Sequence, residues 1–230
     1  MSEKAERVLQ QIEQRIQQAA LKAGRAADAV RLVGASKQVA PETLRDFWDA
    51  GLRCFGENRA QELKAKALLL PENCEWHFIG GLQTNKVGDV VKLAALIHSV
   101  DRVELIEEIE KKATNFGKTQ RVLIEVNVGG EASKHGVLPS ETHRLVEAAN
   151  AAPHVEVVGF MAVPPFCEDA EKARPFFATL RKLRDKIQQQ SGCLLPELSM
   201  GMSHDFEAAI EEGATMVRIG TALFGARGSR

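Results

Sequence analysis

The sequence predicts an α/β protein, a single (β/α)8 TIM barrel with an extra N-terminal helix. About eight short β-type runs alternate with helical patterns, and the 230 residues show no break in composition. Most of the strand runs are near-continuously apolar, as expected when both faces of a strand are covered. A doubly wound open sheet accepts the same alternation, but the unit count and the length favour the closed barrel. No G-x-G-x-x-G follows the first strand, which disfavours the open dinucleotide-binding sheet.

The first element is a helix within residues 1–28, which we expect to pack on the barrel as part of one domain over 1–230. Its apolar residues recur near helical spacing, which predicts a weakly amphipathic helix. They are Val8, Leu9, Ile12, Ile16 and Ala20. The stretch is charged and has no apolar signal core.

Four β-then-α units come next. The helix after the first strand has Pro41 in its first turn and Gly51 at its end, which are the positions these residues favour. The predicted strands are 30–36, 52–57, 75–80 and 95–100, and the helical runs after them are 41–51, 58–70, 83–93 and 102–117.

Four further units complete the barrel. Ser140 is predicted to cap the first of their helices, and Pro175 is predicted to disturb the second. The predicted strands are 121–128, 155–163, 196–201 and 215–220, and the helical runs after them are 140–152, 168–190, 203–213 and 221–225.

Composition excludes several classes of function. Lys and Arg number 30 against 31 Asp and Glu, so the net charge of -1 gives no general attraction to nucleic acid or to an anionic membrane. No apolar run approaches the ~20 residues that span a bilayer. The four cysteines are scattered without a C-x-x-C pair, which indicates neither a metal site nor a disulfide framework and fits the reducing cytoplasm. They are Cys54, Cys74, Cys167 and Cys193.

Polar residues stand where the predicted strands end, and in this barrel those ends and the following loops form the active site. At the last two junctions, "MGMSHDFEAAI" and "RIGTALFG" combine glycine with Ser203 or Thr221. Glycine permits close backbone approach, and the start of a helix offers free N–H groups to an anion. We therefore expect a phosphate site at these loops, although both hydroxyls are also compatible with ordinary helix caps.

Lys37 ends the first strand, and Arg218 precedes the last loop. A lysine at a strand end is often a surface residue, but in a dry cavity it loses its proton more easily and its amine can attack an aldehyde. With a phosphate site, this chemistry fits a phosphosugar aldolase or pyridoxal 5'-phosphate (PLP). Arg218 favours PLP, because a permanent cation keeps a facing pyridine nitrogen unprotonated. A structural ion pair is the other interpretation of Arg218.

The chain closely resembles the pyridoxal 5'-phosphate homeostasis proteins from about residue 5 to its end. The motifs that carry the resemblance are "VGASKQVAPETL", "FGENRAQEL", "WHFIGGLQTNK", "EVNVGGEASKHG", "SMGMSHDFEAAI" and "VRIGTALFG". The family is similar in fold to the barrel domain of alanine racemase and ornithine decarboxylase. The resemblance thus implies an alanine-racemase-like barrel lacking the second, β-rich domain.

The resemblance also implies the site. Lys37 would carry PLP as an internal aldimine, and Arg218 would face the pyridine nitrogen. The implied phosphate-binding residues are Ser203, Gly220 and Thr221, and the implied ring-pocket residues are Asn58 and Met200.

Three positions do not transfer from the family. The motif after the second strand usually reads G-E-N-Y, and here Arg59 replaces the aromatic residue. Lys134 matches a family lysine whose role stays open. The tail 226–230 is short and basic, so roles of tail lysines elsewhere do not apply to it.

The resemblance implies a carrier and buffer that binds PLP reversibly and passes it to PLP-dependent apo-enzymes. Racemisation in this fold uses a lysine and a tyrosine, but the chain has 0 tyrosines and ends straight after the eighth unit. His77 or His204 are alternative bases. We therefore expect no catalytic residues, no metal and a monomer. A weak PLP-dependent racemase or decarboxylase, a phosphosugar aldolase and a purely structural protein are the alternatives.

Overall fold

The computed structural model describes residues 2–131 and 135–225. Within them, eight parallel strands follow one another around a closed barrel, and the last strand pairs with the first. The strands are β1 Arg31–Ala35, β2 Cys54–Glu57, β3 Glu75–Phe78, β4 Leu96–Val100, β5 Gln120–Glu125, β6 Val155–Met161, β7 Glu197–Ser199 and β8 Met216–Ile219. The predicted (β/α)8 barrel is confirmed. Each strand lies inside its predicted run, except that β5 begins one residue early, at Gln120.

Helices connect the strands on the outside of the barrel. They are α1 Glu3–Lys22, α2 Pro41–Asp49, α3 Ala60–Ala67, α4 Val87–Leu93, α5 Val103–Asn115, α6 Thr142–Asn150, α7 Arg174–Ser191, α8 Phe206–Glu211 and α9 Thr221–Phe224, with short 3-10 helices at Thr84–Lys86 and Ala170–Ala173. In the described part of the chain, no helix is both long enough and apolar enough to cross a lipid bilayer.

Of two predicted helix details, the cap at Ser140 is wrong and the disturbance at Pro175 is confirmed. Ser140 does not cap α6, because it lies within a turn closed by the N–H of Glu141 donating to the carbonyl of Leu138, and the helix begins only at Thr142. Pro175 does disturb the predicted run 168–190, because a 3-10 helix over Ala170–Ala173 is followed by α7, which begins at Arg174 with the proline in its first turn. In the first turn of a helix a backbone N–H has no acceptor within the helix, so the N–H that proline lacks costs no hydrogen bond.

Alternation along the strands separates an inner core from an outer one. A small buried cluster takes alternate residues of the strands and consists of Val33, Cys54, Leu96, Leu123, Val158, Met161 and Met216. Their strand neighbours, such as Ile97 and Val122, belong to the larger core that includes the helices. Successive side chains of a strand point to opposite faces, so the small cluster fills the barrel interior. Side chains in phase with it near the C-terminal strand ends point towards the open end of the barrel.

Helix α1 packs on the outside of the barrel beside α8. Its buried residues, which are Ala5, Leu9, Ile12, Ile16, Ala19 and Ala20, lie on one face. Ion pairs Arg15–Glu207 and Lys22–Glu211 join α1 to α8 at the surface. Exposed pairs of this kind contribute little, so apolar burial holds the helix in place.

Candidate functional site

A cavity of about 520 Å³ opens at the C-terminal ends of the strands, within the range of small-molecule sites. We call it the Lys37 cavity. Six of the seven predicted site residues line it, namely Lys37, Asn58, Ser203, Arg218, Gly220 and Thr221. They come from the loops after β1, β2, β7 and β8 and from β8 itself. The barrel therefore brings together residues that lie up to 184 positions apart in the sequence.

The structure does not bring the seventh predicted residue, Met200, to this cavity. Ser199 belongs to the set of side chains that point into the barrel, and the next residue along the strand points the other way. The Met200 side chain is accordingly fully buried in the outer core. The prediction that it lines a ring pocket is not supported by its position.

Lys37 follows β1 by two residues and is half-buried in the cavity wall. The next residue, Gln38, has a left-handed backbone with φ of 62°, which is unusual for a residue with a side chain. Its N–H donates to Glu62 Oε2 at 2.9 Å, so α3 holds this conformation. The backbone on the C-terminal side of Lys37 is thereby fixed.

A buried ionic cluster fixes the backbone on the other side of Lys37. Lys66 Nζ donates to the carbonyl of Ser36 at 2.8 Å, to Glu57 Oε1 at 2.8 Å and to Glu62 Oε2 at 3.0 Å. The Ser36 hydroxyl donates to the same Glu57 oxygen at 2.6 Å. Burial raises the pKa of Glu57, while Lys66 and Ser36 act in the opposite direction.

This cluster was not predicted from the sequence. The spacing of Glu62 and Lys66 on α3 is typical of an ordinary surface pair four residues apart. Only the packing of α3 against β2 places the ammonium 6% exposed beside the fully buried Glu57. The one indication in the sequence was Glu57, a glutamate at the end of an apolar strand, where a buried charge needs a partner.

The loops after β7 and β8 meet at Ser203. Its Oγ accepts hydrogen bonds from the N–H groups of Gly220 at 3.3 Å and Ala222 at 3.2 Å. Gly201 makes the turn before it, with φ of 90°, and a Cβ there would lie 2.6 Å from that of Ala209. Ser203, Gly220 and Thr221 line the cavity here, and the Ser203 hydroxyl is positioned by the two N–H groups that donate to it. Such a set of donors suits a phosphate group.

Arg218 is 5% exposed and is held by the barrel wall. Its Nη1 donates to the carbonyl of Ser199 at 2.8 Å and to the Ser199 hydroxyl, and its Nη2 donates to the carbonyl of Ala162 at 2.9 Å. Burial lowers its pKa to about 10, so the guanidinium stays charged at neutral pH, and Glu125 and Asp205 oppose this shift. No carboxylate among the described residues forms a salt bridge with it. Three of its five N–H donors are used, which leaves two for the cavity.

Glu125 is a second residue that the sequence analysis missed. It ends β5, is 8% exposed and lines the Lys37 cavity. Its pKa is raised to about 7, chiefly by burial and also by Asp101, against the opposing effects of His135 and Arg218. Lys37 and Glu125 are both charged residues at the end of an apolar run, which is the pattern that predicts a site residue. The residues predicted for this strand end were the ones that follow Glu125.

The remaining candidates divide between the cavity and other places. His204 lines the cavity, whereas His77 is fully buried on β3 and does not. Arg59 is exposed and lines a neighbouring groove instead. The Asn58 Oδ1 atom is buried without a hydrogen-bond partner in the described residues. Lys134 and the tail 226–230 lie outside the described residues.

Comparison with known proteins identifies the family of this chain. A family model described as "Alanine racemase, N-terminal domain" matches residues 8–228. The pyridoxal phosphate homeostasis protein of Aquifex aeolicus (strain VF5) is 52% identical over 220 residues, which cover 95% of this chain and 96% of that protein.

Solved structures show the same barrel. PipY of Synechococcus elongatus PCC7942 with PLP bound has a TM-score of 0.80 at 33% identity, covering 91% of this chain and 98% of that one. An alanine racemase of Clostridium difficile 630 has a TM-score of 0.70 at 16% identity, covering 87% of this chain and 53% of that one. The second likeness shows the fold alone.

A closed (β/α)8 barrel with a lysine and an arginine in one cavity at its C-terminal end defines a barrel of the alanine racemase N-terminal type. Within this class, the chain belongs to the pyridoxal phosphate homeostasis protein family.

Proposed function

We propose that this protein binds PLP in the Lys37 cavity, through a Schiff base between Lys37 Nζ and the aldehyde, and acts as a PLP carrier and buffer in the cytoplasm. The observation that carries the proposal is that Lys37, Arg218 and the donors around Ser203 line one cavity of about 520 Å³. A primary amine, a buried cation and a set of anion donors match the three functional ends of PLP. The PLP-bound relative PipY supports the same ligand.

Each end of the ligand has its own residues. Ser203, Gly220 and Thr221 would hold the phosphate, and the N–H groups of Gly220 and Ala222, which donate to Ser203 Oγ, would position that hydroxyl. Arg218 would face the pyridine nitrogen with its two remaining N–H donors and, as a cation, keep that nitrogen unprotonated. PLP supplies an electron sink that stabilises carbanions. A ring with an unprotonated nitrogen withdraws electrons less strongly and is a weaker sink. Asn58 would contact the ring.

The composition of the chain and the names of its relatives favour the carrier role over catalysis. The sequence has 0 tyrosines, so the lysine and tyrosine pair of racemases in this fold is absent. The names of the relatives point to homeostasis. PLP-dependent apo-enzymes would be the recipients, and the protein would act as a monomer.

One observation favours the weak enzyme as a second candidate. Glu125 places a carboxyl group with a pKa of about 7 on the cavity wall, where it can hold or release a proton at neutral pH. A racemase would exchange the α-deuterium of an amino acid, and Glu125→Gln would stop that exchange. A carrier releases PLP to an apo-enzyme without any such exchange.

The binding proposal is tested by absorbance and chemical trapping. Adding PLP should give a band near ~420 nm that borohydride abolishes, as expected of imine chemistry. Peptide mapping after reduction should place the adduct on Lys37. Lys64→Ala is the matched control, since that lysine is exposed on α3 and should leave both results unchanged. An adduct of wild-type protein mapped to any other lysine would refute the assignment of Lys37.

A further inference from the structure

A continuous chain of side-chain hydrogen bonds crosses the barrel interior and ends at Arg218. From Arg218 Nη1 it passes to the Ser199 hydroxyl, then to His98 Nδ1 at 2.9 Å from that hydroxyl. His98 Nε2 lies 3.0 Å from His77 Nδ1, and His77 Nε2 lies 2.9 Å from Glu75 Oε1. The three middle residues are on β7, β4 and β3 and have no more than 1% exposure. Glu75 lies at the opposite end of the barrel from the cavity, at the start of β3.

The two ends of the chain determine the direction of every hydrogen bond in it. Arg218 has only donors, so the Ser199 oxygen accepts from it, and among the described residues His98 Nδ1 is the one partner of this hydroxyl that can accept its proton. His98 then carries its proton on Nε2 and donates to His77 Nδ1. His77 in turn carries its proton on Nε2 and donates to the Glu75 carboxylate. Both imidazoles are therefore neutral, in the tautomer with Nε2 protonated.

The charges around the chain favour this state. Burial lowers the pKa of His77 despite Glu75, and burial lowers the pKa of His98 well below its ordinary value, with His77 and Arg218 acting in the same direction. The hydrogen bond from His77 lowers the pKa of Glu75, which keeps it ionised. Arg31 on β1 and Arg121 on β5 also face this end and oppose a second positive charge there.

We propose that Glu75, His77, His98 and Ser199 are positioning residues for Arg218, acting through one directional hydrogen-bonded chain. The chain fixes the Ser199 hydroxyl as an acceptor of Arg218 Nη1, which leaves the Nε–H and one Nη2–H of this cavity-lining guanidinium for a ligand. This inference depends on the proposed function, in which Arg218 faces the pyridine ring of PLP, because it names the residues that position the Arg218 guanidinium. It adds four residues to the site, none of which lines the Lys37 cavity.

A metal ion is the competing use of one end of this chain. Cys54, Glu75 and His77 offer ligand atoms within 4.8 Å of one another, among the described residues. The geometry favours the chain, because Arg31 lies 2.6 Å from the same Glu75 oxygen that His77 contacts, and burial raises the pKa of the Cys54 thiol well above its ordinary value. A metal ion at this place would have to displace Arg31 from Glu75 and deprotonate the Cys54 thiol.

The first test needs no ligand. Nitrogen-15 NMR of the histidine side chains in the PLP-free protein should show His77 and His98 neutral and protonated on Nε2. A charged imidazole, or an Nδ1-protonated tautomer at either residue, would overturn the directional chain. A shift of the His77 nitrogens on adding stoichiometric zinc would overturn it in favour of the metal site.

The second test follows the chain from Glu75 to the cavity. Glu75→Ala should move the His98 nitrogen resonances and weaken PLP binding about fivefold, as expected for one lost hydrogen bond. Glu75→Gln should restore both, because its amide oxygen accepts from the same N–H. Glu156→Gln removes another carboxylate at that end of the barrel and is the matched control.

The outcomes separate the two proposals. If Glu75→Ala behaves like Glu156→Gln while wild type binds PLP, the positioning role is refuted and PLP binding stands. If wild type does not bind PLP, the proposed function fails, and the tautomers alone decide whether the chain exists.

Discussion

Lys66 Nζ lies 2.8 Å from the main-chain carbonyl of Ser36, so a buried ammonium supports the residue that immediately precedes Lys37. The same ammonium binds Glu57 and Glu62, and Glu62 also accepts the N–H of Gln38 on the other side of Lys37. The backbone on both sides of Lys37 is thereby held in place from α3. The position of Lys37 therefore depends on the charged residues Glu57, Glu62 and Lys66, none of which lines the cavity.

Removing this ammonium should be costly. Lys66→Met leaves Glu57 buried without its charged partner, and we expect a loss of about 3 kcal/mol in the free energy of unfolding at pH 8. The Glu57 carboxyl, already raised in pKa by burial, would become harder still to ionise. An acid whose folded pKa is raised binds protons in the folded state, so the deficit should shrink as the pH falls towards 5.

Urea unfolding of Lys66→Met at pH 5 and pH 8 measures this effect. Lys64→Met on the same helix is the control and should change little at either pH, since its pair with Asp89 is exposed. A deficit in Lys66→Met that is equal at both pH values would show that Glu57 is not the affected group.

Glu125 should make the stability of the protein depend on pH. Its pKa of about 7 lies above the value of an unfolded glutamate, so ionisation destabilises the folded state as the pH rises through this interval. Glu125→Gln removes that cost. We expect the variant to match wild type at pH 4.5 and to exceed it by on the order of 3 kcal/mol at pH 8.

The measurement is urea unfolding of PLP-free protein across this pH range. Glu156→Gln, which neutralises an exposed carboxylate, should follow wild type throughout. A variant of Glu125 that runs parallel to wild type at all pH values would contradict the raised pKa.

Ser203 should contribute to binding of the phosphate specifically. Ser203→Ala removes the hydroxyl that organises the N–H groups of Gly220 and Ala222. We expect affinity for PLP to fall about tenfold, the effect of losing one hydrogen bond to a charged group. Affinity for pyridoxal, which has no phosphate, should stay the same.

Equilibrium titrations with both ligands decide this prediction, and Ser140→Ala serves as a control distant from the cavity. Equal losses for PLP and pyridoxal would mean that Ser203 supports the fold of the loop rather than the phosphate.

Gly159 should be essential for closing the barrel between β6 and β7. Its φ is 153°, and a Cβ at this position would lie 1.8 Å from the carbonyl oxygen of Glu197. Gly159→Ala must push two paired strands apart, which should cost about 4 kcal/mol or more. Gly117→Ala is the control, because a Cβ there meets no atom within 4 Å and only its left-handed φ of 62° adds strain.

Thermal unfolding of both variants gives the comparison. We expect Gly117→Ala to lose roughly 1–2 kcal/mol. If Gly159→Ala loses no more than that, the close approach of β6 to β7 is not required.

Much of the site could be read from the order of residues alone. Strand ends of a parallel barrel meet at one end, so a polar residue at the end of an apolar run is predicted to lie there whatever the exact register. Lys37, Asn58, Ser203, Arg218, Gly220 and Thr221 were located in this way, and all six line the cavity. The resemblance to a known family supplied the ligand, which the residues alone left open between PLP and a phosphosugar.

Met200 and Glu125 mark the limit of that reasoning. Both stand near strand ends, but whether a side chain points into the barrel or outward changes with every residue. Ser199 and Arg218 point inward and Met200 points outward, into the outer core. A shift of one residue in a strand reverses the direction of its side chains. Strand boundaries predicted from the sequence are less precise than one residue, so they do not fix this direction.

The sequence by itself determined the eight alternating units and six of the residues around the cavity, because both follow from local hydrophobic pattern and from the shared direction of the strands. Only the tertiary structure decided what supports those residues. Lys66 reaches Ser36 across 30 positions, and His98 reaches Ser199 across 101. Such pairs have no local pattern, because barrel closure and helix packing, rather than spacing along the chain, set the distances between them.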